Sequence, residues 1–118
     1  MKIQPSFARK TTSKYGAKKT MVGDVQFASK KEAQRYMELQ LLERAGEITD
    51  LRRQVKIDLM GQHRPLYTRT GRKMRYTADF AYVEGGVEVI EECKGHWTRD
   101  FEVRYAVAIA MGLNLRVT

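Results

Sequence analysis

Residues 75–94 constrain the fold of this chain more than any other stretch, because two runs of alternating side chains flank a Gly-Gly pair. That pattern predicts a β-hairpin. Side chains two positions apart on a strand point to the same side of a sheet, so we expect Glu92 and Lys94 to project together. Asp79 lies inside the first strand and is expected to face them from its neighbour. The hairpin therefore predicts a cluster of two carboxylates and one amine.

Such a cluster needs a physical reason, because charges inside a sheet cost free energy unless they are paired or bound to a metal. A divalent cation held by Asp79 and Glu92, with the backbone carbonyl of Cys93 as a further ligand, supplies that reason. Mg²⁺ suits such a site, since it binds a few carboxylates and keeps several waters. Lys94 would orient a water or help to deprotonate it, as phosphodiester hydrolysis requires.

Each of these side chains also has a simpler interpretation. Asp79 would be an ordinary strand residue if it paired with an arginine such as Arg75. Glu92 and Lys94 would form a surface ion pair that contributes little stability. Glu91 competes with Glu92 for the role of site carboxylate. Strand alternation favours Glu92, because Glu92 shares a side of the strand with Lys94 and Glu91 does not.

The other elements are predicted from periodicity, caps and turns. They are, in order, a small hairpin over residues 20–22 and 25–27, a helix from Ser29 to Gly46, a connection or short strand over 47–51, a half-buried strand over 54–59, the hairpin strands over 75–83 and 87–94, a helix capped by Thr98 and ended by Gly112 or Asn114, and a last strand over 113–117. The order of helix, three strands, helix and strand predicts an α/β fold with a mixed sheet.

Glu32 has two interpretations. The string from Ser29 to Glu32 matches a capping box, in which Glu32 serves only the helix N-terminus. Alternatively, Glu32 reaches in from the first helix to bind a second metal or its water. We therefore include it as a candidate catalytic residue beside Asp79, Glu92 and Lys94.

Length and composition predict one small domain. The chain has 118 residues, of which 42% are hydrophobic and 31% are charged. We expect a flexible basic arm over residues 1–19 and a single domain over 20–118. No stretch approaches the roughly 20 apolar residues of a membrane span, and none near the N-terminus resembles a signal peptide. A single cysteine suits a reducing cytoplasm and no membrane association is expected.

The net charge of +8 predicts a polyanionic partner, and nucleic acid is the commonest one. Residues 1–22 and 59–78 contain basic side chains and no acid. This segregation favours phosphate binding over the alternative, which is simple solubility. DNA contacts are expected from the arm, from the loop over residues 61–75 and from the last helix. The candidates are Lys10, Lys14, Lys18, Lys19, Arg64, Arg69, Arg72, Lys73, Arg99 and Arg104.

Asp79, followed by Glu92-Cys93-Lys94, resembles the Asp…(Asp/Glu)-x-Lys signature of the PD-(D/E)XK nuclease superfamily. Ala78 stands where the signature has proline, at a position that varies in the superfamily. The predicted order of elements is similar to the αβββαβ core of that superfamily. The resemblance therefore implies a restriction-endonuclease-like core, with a mixed sheet flanked by helices.

Further strings resemble a narrower group. Ser29-Lys-Lys-Glu-Ala, Ala78-Asp-Phe and Glu91-Glu-Cys-Lys-Gly look like a small phage-encoded branch, a domain of unknown function that is similar to Holliday-junction resolvases. The resemblance covers about residues 15–118.

This resemblance implies hydrolysis of DNA phosphodiesters with Mg²⁺ or Mn²⁺, and branched DNA as the expected substrate. Resolvase activity needs two symmetric cuts, and hence implies a homodimer. A phage origin implies the cytoplasm of the host cell. Two alternatives stay open: a nicking or linear-duplex endonuclease of phage replication or packaging, and a non-catalytic DNA-binding module.

Overall fold

The computed structural model describes residues 19–118. The elements are β1 (Thr20–Val22), β2 (Val25–Phe27), α1 (Lys30–Arg44), β3 (Thr49–Asp58), β4 (Arg75–Glu84), β5 (Val87–Glu92), α2 (Arg99–Ala110) and β6 (Leu115–Val117). Two compact units divide inside α1, one ending at Glu38 and the other comprising Leu39–Thr118. The predicted arm, with Lys10, Lys14 and Lys18, lies outside the described residues apart from Lys19.

The first unit contains the small predicted hairpin and the start of α1. Strands β1 and β2 pair antiparallel, with Thr20 opposite Phe27. Phe27 is buried, and its ring lies 5.1 Å from that of Tyr36 on α1. The Oγ of Ser29 accepts a hydrogen bond from the backbone N–H of Glu32 at 3.1 Å, which is the predicted N-cap. The hairpin and the start of the helix are thus confirmed.

The predicted end of α1 is confirmed as well. Gly46 has φ +81°, a left-handed conformation that glycine adopts without steric cost. Its N–H donates to the carbonyl of Glu43 and the N–H of Glu47 donates to that of Leu42. These two bonds form a Schellman motif, which satisfies the last carbonyls of the helix.

The second unit is built on a mixed four-stranded sheet in the order β3-β4-β5-β6. The pairs β3–β4 and β4–β5 are antiparallel, whereas β5–β6 is parallel. From α1 onward the chain runs helix, three strands, helix, strand. This confirms the predicted α/β class, the mixed sheet and the order of the elements.

The β4–β5 hairpin has the two-residue turn that the sequence predicts. Gly85 and Gly86 have φ of +61° and +78°, as a type I′ turn requires. Glu84 faces Val87, and Phe80 faces Glu91 further along the ladder. Strand β5 ends at Glu92 rather than at Lys94, although the N–H of Lys94 still donates to the carbonyl of Thr118.

Strand β3 begins at Thr49, earlier than the predicted start at Gln54. The pairing with β4 shifts register between Thr49 and Arg52, which marks a β-bulge. Asp50 and Gln54 both have positive φ, at +56° and +50°. The bulge and these two left-handed residues interrupt the alternation of side chains, and the pattern of apolar residues therefore predicted only the second half of the strand.

The alternation of side chains along β4 is interrupted near its centre. Simple alternation places Ala81 opposite to Tyr76 and Ala78, yet all three pack in one buried cluster with Ile90 and Phe101. The alternation therefore changes phase between Ala78 and Ala81. This segment lies beside Gln54, one of the two left-handed residues of β3. Backbone irregularities of this kind change the direction in which side chains point.

Helix α2 starts and ends as predicted. The Oγ1 of Thr98 accepts a hydrogen bond from the N–H of Phe101 at 3.0 Å. Gly112, with φ +86°, follows the last turn. Phe101 and Ala108 are buried, and Phe101 joins the cluster on the sheet. Neither helix within residues 19–118 is long and apolar enough to cross a membrane.

The central position of Phe80 on β4 leads to a stability prediction. Its side chain is fully buried, and so Phe80→Ala is expected to lower the free energy of unfolding by about 3–5 kcal/mol. Val87→Ala, at an exposed residue of β5, is the control and should change it by no more than about 0.5 kcal/mol. Urea unfolding measures both values. Equal effects of the two substitutions would contradict the described core.

Candidate functional site

Glu92 lies at the end of β5 and is only 7% exposed. Its Oε1 accepts a hydrogen bond from the hydroxyl of Tyr76 at 2.9 Å, and its Oε2 lies 3.9 Å from the Nζ of Lys94. A buried carboxylate is stable only when such partners compensate its lost hydration. The two contacts hold the carboxylate in one orientation.

Asp79 lies on β4, next to Phe80, which faces Glu91 across the ladder. The antiparallel register therefore brings Asp79 level with Glu92. The Oδ2 of Asp79 accepts a hydrogen bond from the backbone N–H of Cys93 at 2.9 Å. Its Oδ1 lies 3.5 Å from the amide nitrogen of Gln54 on β3. Asp79 is thus fixed against the segment that joins Glu92 to Lys94.

The hydroxyl of Tyr76 is buried beside Glu92, to which it donates a hydrogen bond. Burial raises the pKa of Tyr76 well above its ordinary value, and the negative charges of Glu92 and Asp79 raise it further. The phenol therefore stays protonated and continues to donate its hydrogen bond to Glu92. The antiparallel register and the hydrogen bond from the Cys93 N–H, rather than this hydroxyl, place Asp79 beside Glu92.

Lys94 lies between Glu92 and the aromatic side chains of α2. Its Nζ is 4.4 Å from the centre of the Phe101 ring, within the range of a cation–π contact. The same ring lies 4.8 Å from that of Trp97, at a steep angle of 69°. An ion pair on one side and a ring on the other therefore position the amine.

The donor atoms of the site suit a hard cation. Asp79 and Glu92 offer carboxylate oxygens, and the backbone of Cys93 runs beside Asp79 because its N–H bonds to that side chain. Mg²⁺ prefers oxygen ligands and needs few of them from the protein, since waters complete its coordination. Among residues 19–118 no group of three or more His, Cys, Asp or Glu side chains could hold a metal. Any ion at this site would therefore bind two carboxylates, completed by backbone oxygen and water.

Glu32 belongs to the other unit, which ends at Glu38. It is buried, and its backbone N–H bonds to the Oγ of Ser29. In a capping box, the side chain of the N-cap residue accepts a hydrogen bond from this backbone N–H. The observed bond therefore fits the interpretation of Glu32 as part of a helix cap. The catalytic role of Glu32 stays a prediction.

Glu91, the rival of Glu92, is fully buried in a different network. Its Oε1 accepts a hydrogen bond from the hydroxyl of Tyr82, and its Oε2 accepts one from Thr118 at 3.2 Å. Arg116 donates to the same tyrosine hydroxyl at 3.0 Å and also pairs with Glu84. Neighbouring glutamates of β5 thus serve two separate clusters.

The predicted DNA-contacting residues fall into two groups. Some are exposed and form no ion pair within the described chain; these are Arg64, Arg69, Arg72 and Arg99. Lys19 is also exposed. Others are engaged within the protein. Lys73 lies 3.6 Å from Asp58, and Arg104 bonds to Asp100 and to the backbone carbonyl of Arg75.

The acid-free loop between β3 and β4 is anchored by backbone contacts. Isolated bridges join Met60 to Pro65 and Tyr67 to Lys73. The Nε of Arg75 donates to Asp58 at 2.9 Å, and this hydrogen bond lowers the pKa of the Asp58 carboxyl. The loop therefore presents its exposed arginines from a fixed backbone.

Sequence reasoning missed three residues of this site. Tyr76 orients Glu92, Gln54 lies next to Asp79, and Phe101 supports Lys94. Tyr76 and Phe101 looked like core residues, which they also are. The sequence contains one weak indication for Gln54, which is a polar residue on the strand next to the one that carries Asp79. No pattern in the sequence pointed to its left-handed backbone.

The raised pKa of Tyr76 predicts how stability depends on pH. The folded protein keeps the phenolic proton above pH 10, where the unfolded chain loses it. The free energy of unfolding should therefore fall above about pH 10. In Tyr76→Phe this fall should be shallower, by up to about 1.4 kcal/mol per pH unit.

Denaturant titrations between pH 9 and pH 12 measure these slopes. Tyr67→Phe, at an exposed tyrosine of the β3–β4 loop, is the control and should keep the wild-type slope. An identical slope for wild type and Tyr76→Phe would show that the Tyr76 hydroxyl is not buried beside Glu92.

Comparison with known proteins places the chain in one family. No curated protein and no solved structure gives a match. The model of one family matches residues 12–116, which is most of the chain; its description is "Protein of unknown function (DUF1064)". The chain therefore belongs to the DUF1064 family.

Proposed function

We propose that this protein is a metal-dependent DNA endonuclease with a restriction-endonuclease-like core. The observation that carries the proposal is the convergence of three charged groups. Asp79 is level with Glu92 on the neighbouring strand and accepts a hydrogen bond from the N–H of Cys93 at 2.9 Å, and the Nζ of Lys94 lies 3.9 Å from Glu92. Two acids and an amine fixed by several contacts suit a reactive site better than an incidental surface ion pair.

The arrangement of the elements supports the same proposal. The two acids come from adjacent strands, and the amine follows the second acid by two positions. The resemblance to the PD-(D/E)XK signature rests on these residues, and the observed order from α1 onward is the order which that resemblance implies.

The roles of the residues follow from their contacts. Asp79 and Glu92, with the carbonyl of Cys93, would hold Mg²⁺ or Mn²⁺. The bound ion supplies a water of lowered pKa and neutralises charge on the phosphate. Lys94 contacts a carboxylate and an aromatic face, both partners of an ammonium ion. It therefore acts as a positive charge that orients the water and stabilises negative charge on the phosphate.

The rest of the protein would bind the DNA backbone. The loop between β3 and β4 carries exposed arginines and leads directly into Arg75 and Tyr76. Contacts of this kind position DNA without reading its sequence, so recognition should follow DNA shape. We extend the proposal to branched DNA as substrate, to a homodimer for paired cuts, to a phage origin and to the cytoplasm of the host cell.

Cleavage assays on a labelled DNA panel test this proposal. The panel contains a four-way junction, a flap and a linear duplex, each with and without Mg²⁺. Asp79→Asn, Glu92→Gln and Lys94→Ala should each reduce the cleavage rate by about 10²–10⁴-fold, because each removes a ligand or a charge at the reacting phosphate. Binding of the same DNA in chelator should stay within a few-fold of wild type.

Glu88→Gln is the matched control. Glu88 lies on the same strand as Glu92 but is exposed, and it pairs with Arg52 at 2.6 Å. This variant should cleave like wild type. Full cleavage in chelator, or full activity of Asp79→Asn and Lys94→Ala, would refute the proposed chemistry. DNA binding with no cleavage of any substrate would favour the non-catalytic module.

A further inference from the structure

Trp97 is a fixed aromatic side chain beside the candidate site that is still 42% exposed. It lies between the end of β5 and the start of α2. The rings of Phe101 and Tyr105 hold it at centroid distances of 4.8 and 5.3 Å, both at steep angles. An indole that two neighbouring rings hold in place while one part stays open to solvent offers a flat surface on which another ring can stack.

The position of Trp97 links it to the proposed chemistry. The Phe101 ring contacts Trp97 and also lies 4.4 Å from the Nζ of Lys94. A single ring thus separates the exposed indole from the amine of the site. A group stacked on Trp97 would therefore lie within about one nucleotide of a phosphate held at Lys94.

The charges around Trp97 favour an anionic ligand. Lys94, whose amine lies 3.9 Å from Glu92, precedes Trp97 in the chain, and Arg99, which is exposed and has no ion pair among residues 19–118, follows it. The nearest acid along α2 is Asp100, whose charge is compensated by Arg104 at 2.9 Å. An aromatic surface among basic side chains is the combination that binds single-stranded nucleic acid, because bases stack and phosphates pair.

We propose that Trp97 stacks on an unpaired base next to the phosphate bound at the site, so that the preferred substrate is DNA with unpaired nucleotides. Paired bases inside a duplex have both faces covered by their neighbours and offer no surface to the indole. Flaps, frayed junctions and single strands contain unpaired bases, which offer the indole a free face. The inference rests on the proposed function in taking DNA as the substrate, and it adds the feature that the protein recognises.

Fluorescence tests this directly, because Trp97 is the only tryptophan of the chain. The full-length protein is titrated in chelator, without cleavage, with a single-stranded oligothymidine and with a blunt duplex of equal phosphate number. Stacking should quench the emission strongly with the single strand and leave it nearly unchanged with the duplex. Quenching by neither DNA, or equal quenching by both, would overturn the inference.

Substitutions of Trp97 distinguish base stacking from non-specific DNA binding. Trp97→Leu should bind the single strand about 5- to 150-fold more weakly by anisotropy of a labelled oligonucleotide, with unchanged affinity for the duplex. Trp97→Phe keeps an aromatic face and should retain most of the affinity. Val103→Ala, at an exposed apolar residue of the same helix, is the control and should bind both DNAs like wild type. Wild-type affinity of Trp97→Leu for the single strand would contradict the inference.

The two proposals fail in different ways. Quenching by single strands in a protein that cleaves no DNA would remove the nuclease proposal and keep the role of Trp97. Alternatively, the protein could cleave fully paired duplex with metal while no DNA changes its fluorescence. That result would remove the role of Trp97 and keep the nuclease proposal.

Discussion

The pairing of β4 with β5 is the constraint on which the site depends. A two-residue turn of left-handed glycines joins the strands and sets Phe80 opposite Glu91. That register makes Asp79 level with Glu92, and a shift of one residue would move a whole strand's side chains to the other face. The hydrogen bond from Cys93 to Asp79 and the one from Tyr76 to Glu92 then fix both carboxylates.

Two adjacent glutamates on β5 show how environment assigns different roles to the same residue type. Glu91 is buried among Tyr82, Thr118 and Arg116, where it joins the last strand to the sheet. Glu92 is held by Tyr76 and lies beside Lys94. We interpret Glu91 as structural and Glu92 as a site residue, because only Glu92 shares its surroundings with Asp79.

The sequence predicted this fold where local chemistry decides the structure. The Gly-Gly turn, the caps at Ser29 and Thr98 and the left-handed glycines after both helices were all confirmed. The start of β3 was missed because Asp50 and Gln54 adopt left-handed conformations within the strand and interrupt its alternation. Non-glycine residues rarely do so, and the sequence therefore gives no reason to expect it at these two positions. The phase change in β4 has no signal in the sequence, because the residues on either side of it are apolar and an apolar run does not show which face each side chain takes. The grouping of the acids with Lys94 followed from strand alternation, whereas the contact of Tyr76 with Glu92 is tertiary and left no trace in the pattern.

The proposed chemistry requires that the carboxylates of Asp79 and Glu92 bind one divalent cation together. Anomalous diffraction from crystals of the protein soaked in Mn²⁺ tests it most directly. If the two carboxylates share an ion, one strong anomalous peak is expected between these side chains, and it should be lost in Asp79→Asn crystals. A map with no peak there, or an unchanged peak in the variant, would show that these carboxylates bind no shared cation and would leave the cluster as a structural ion pair.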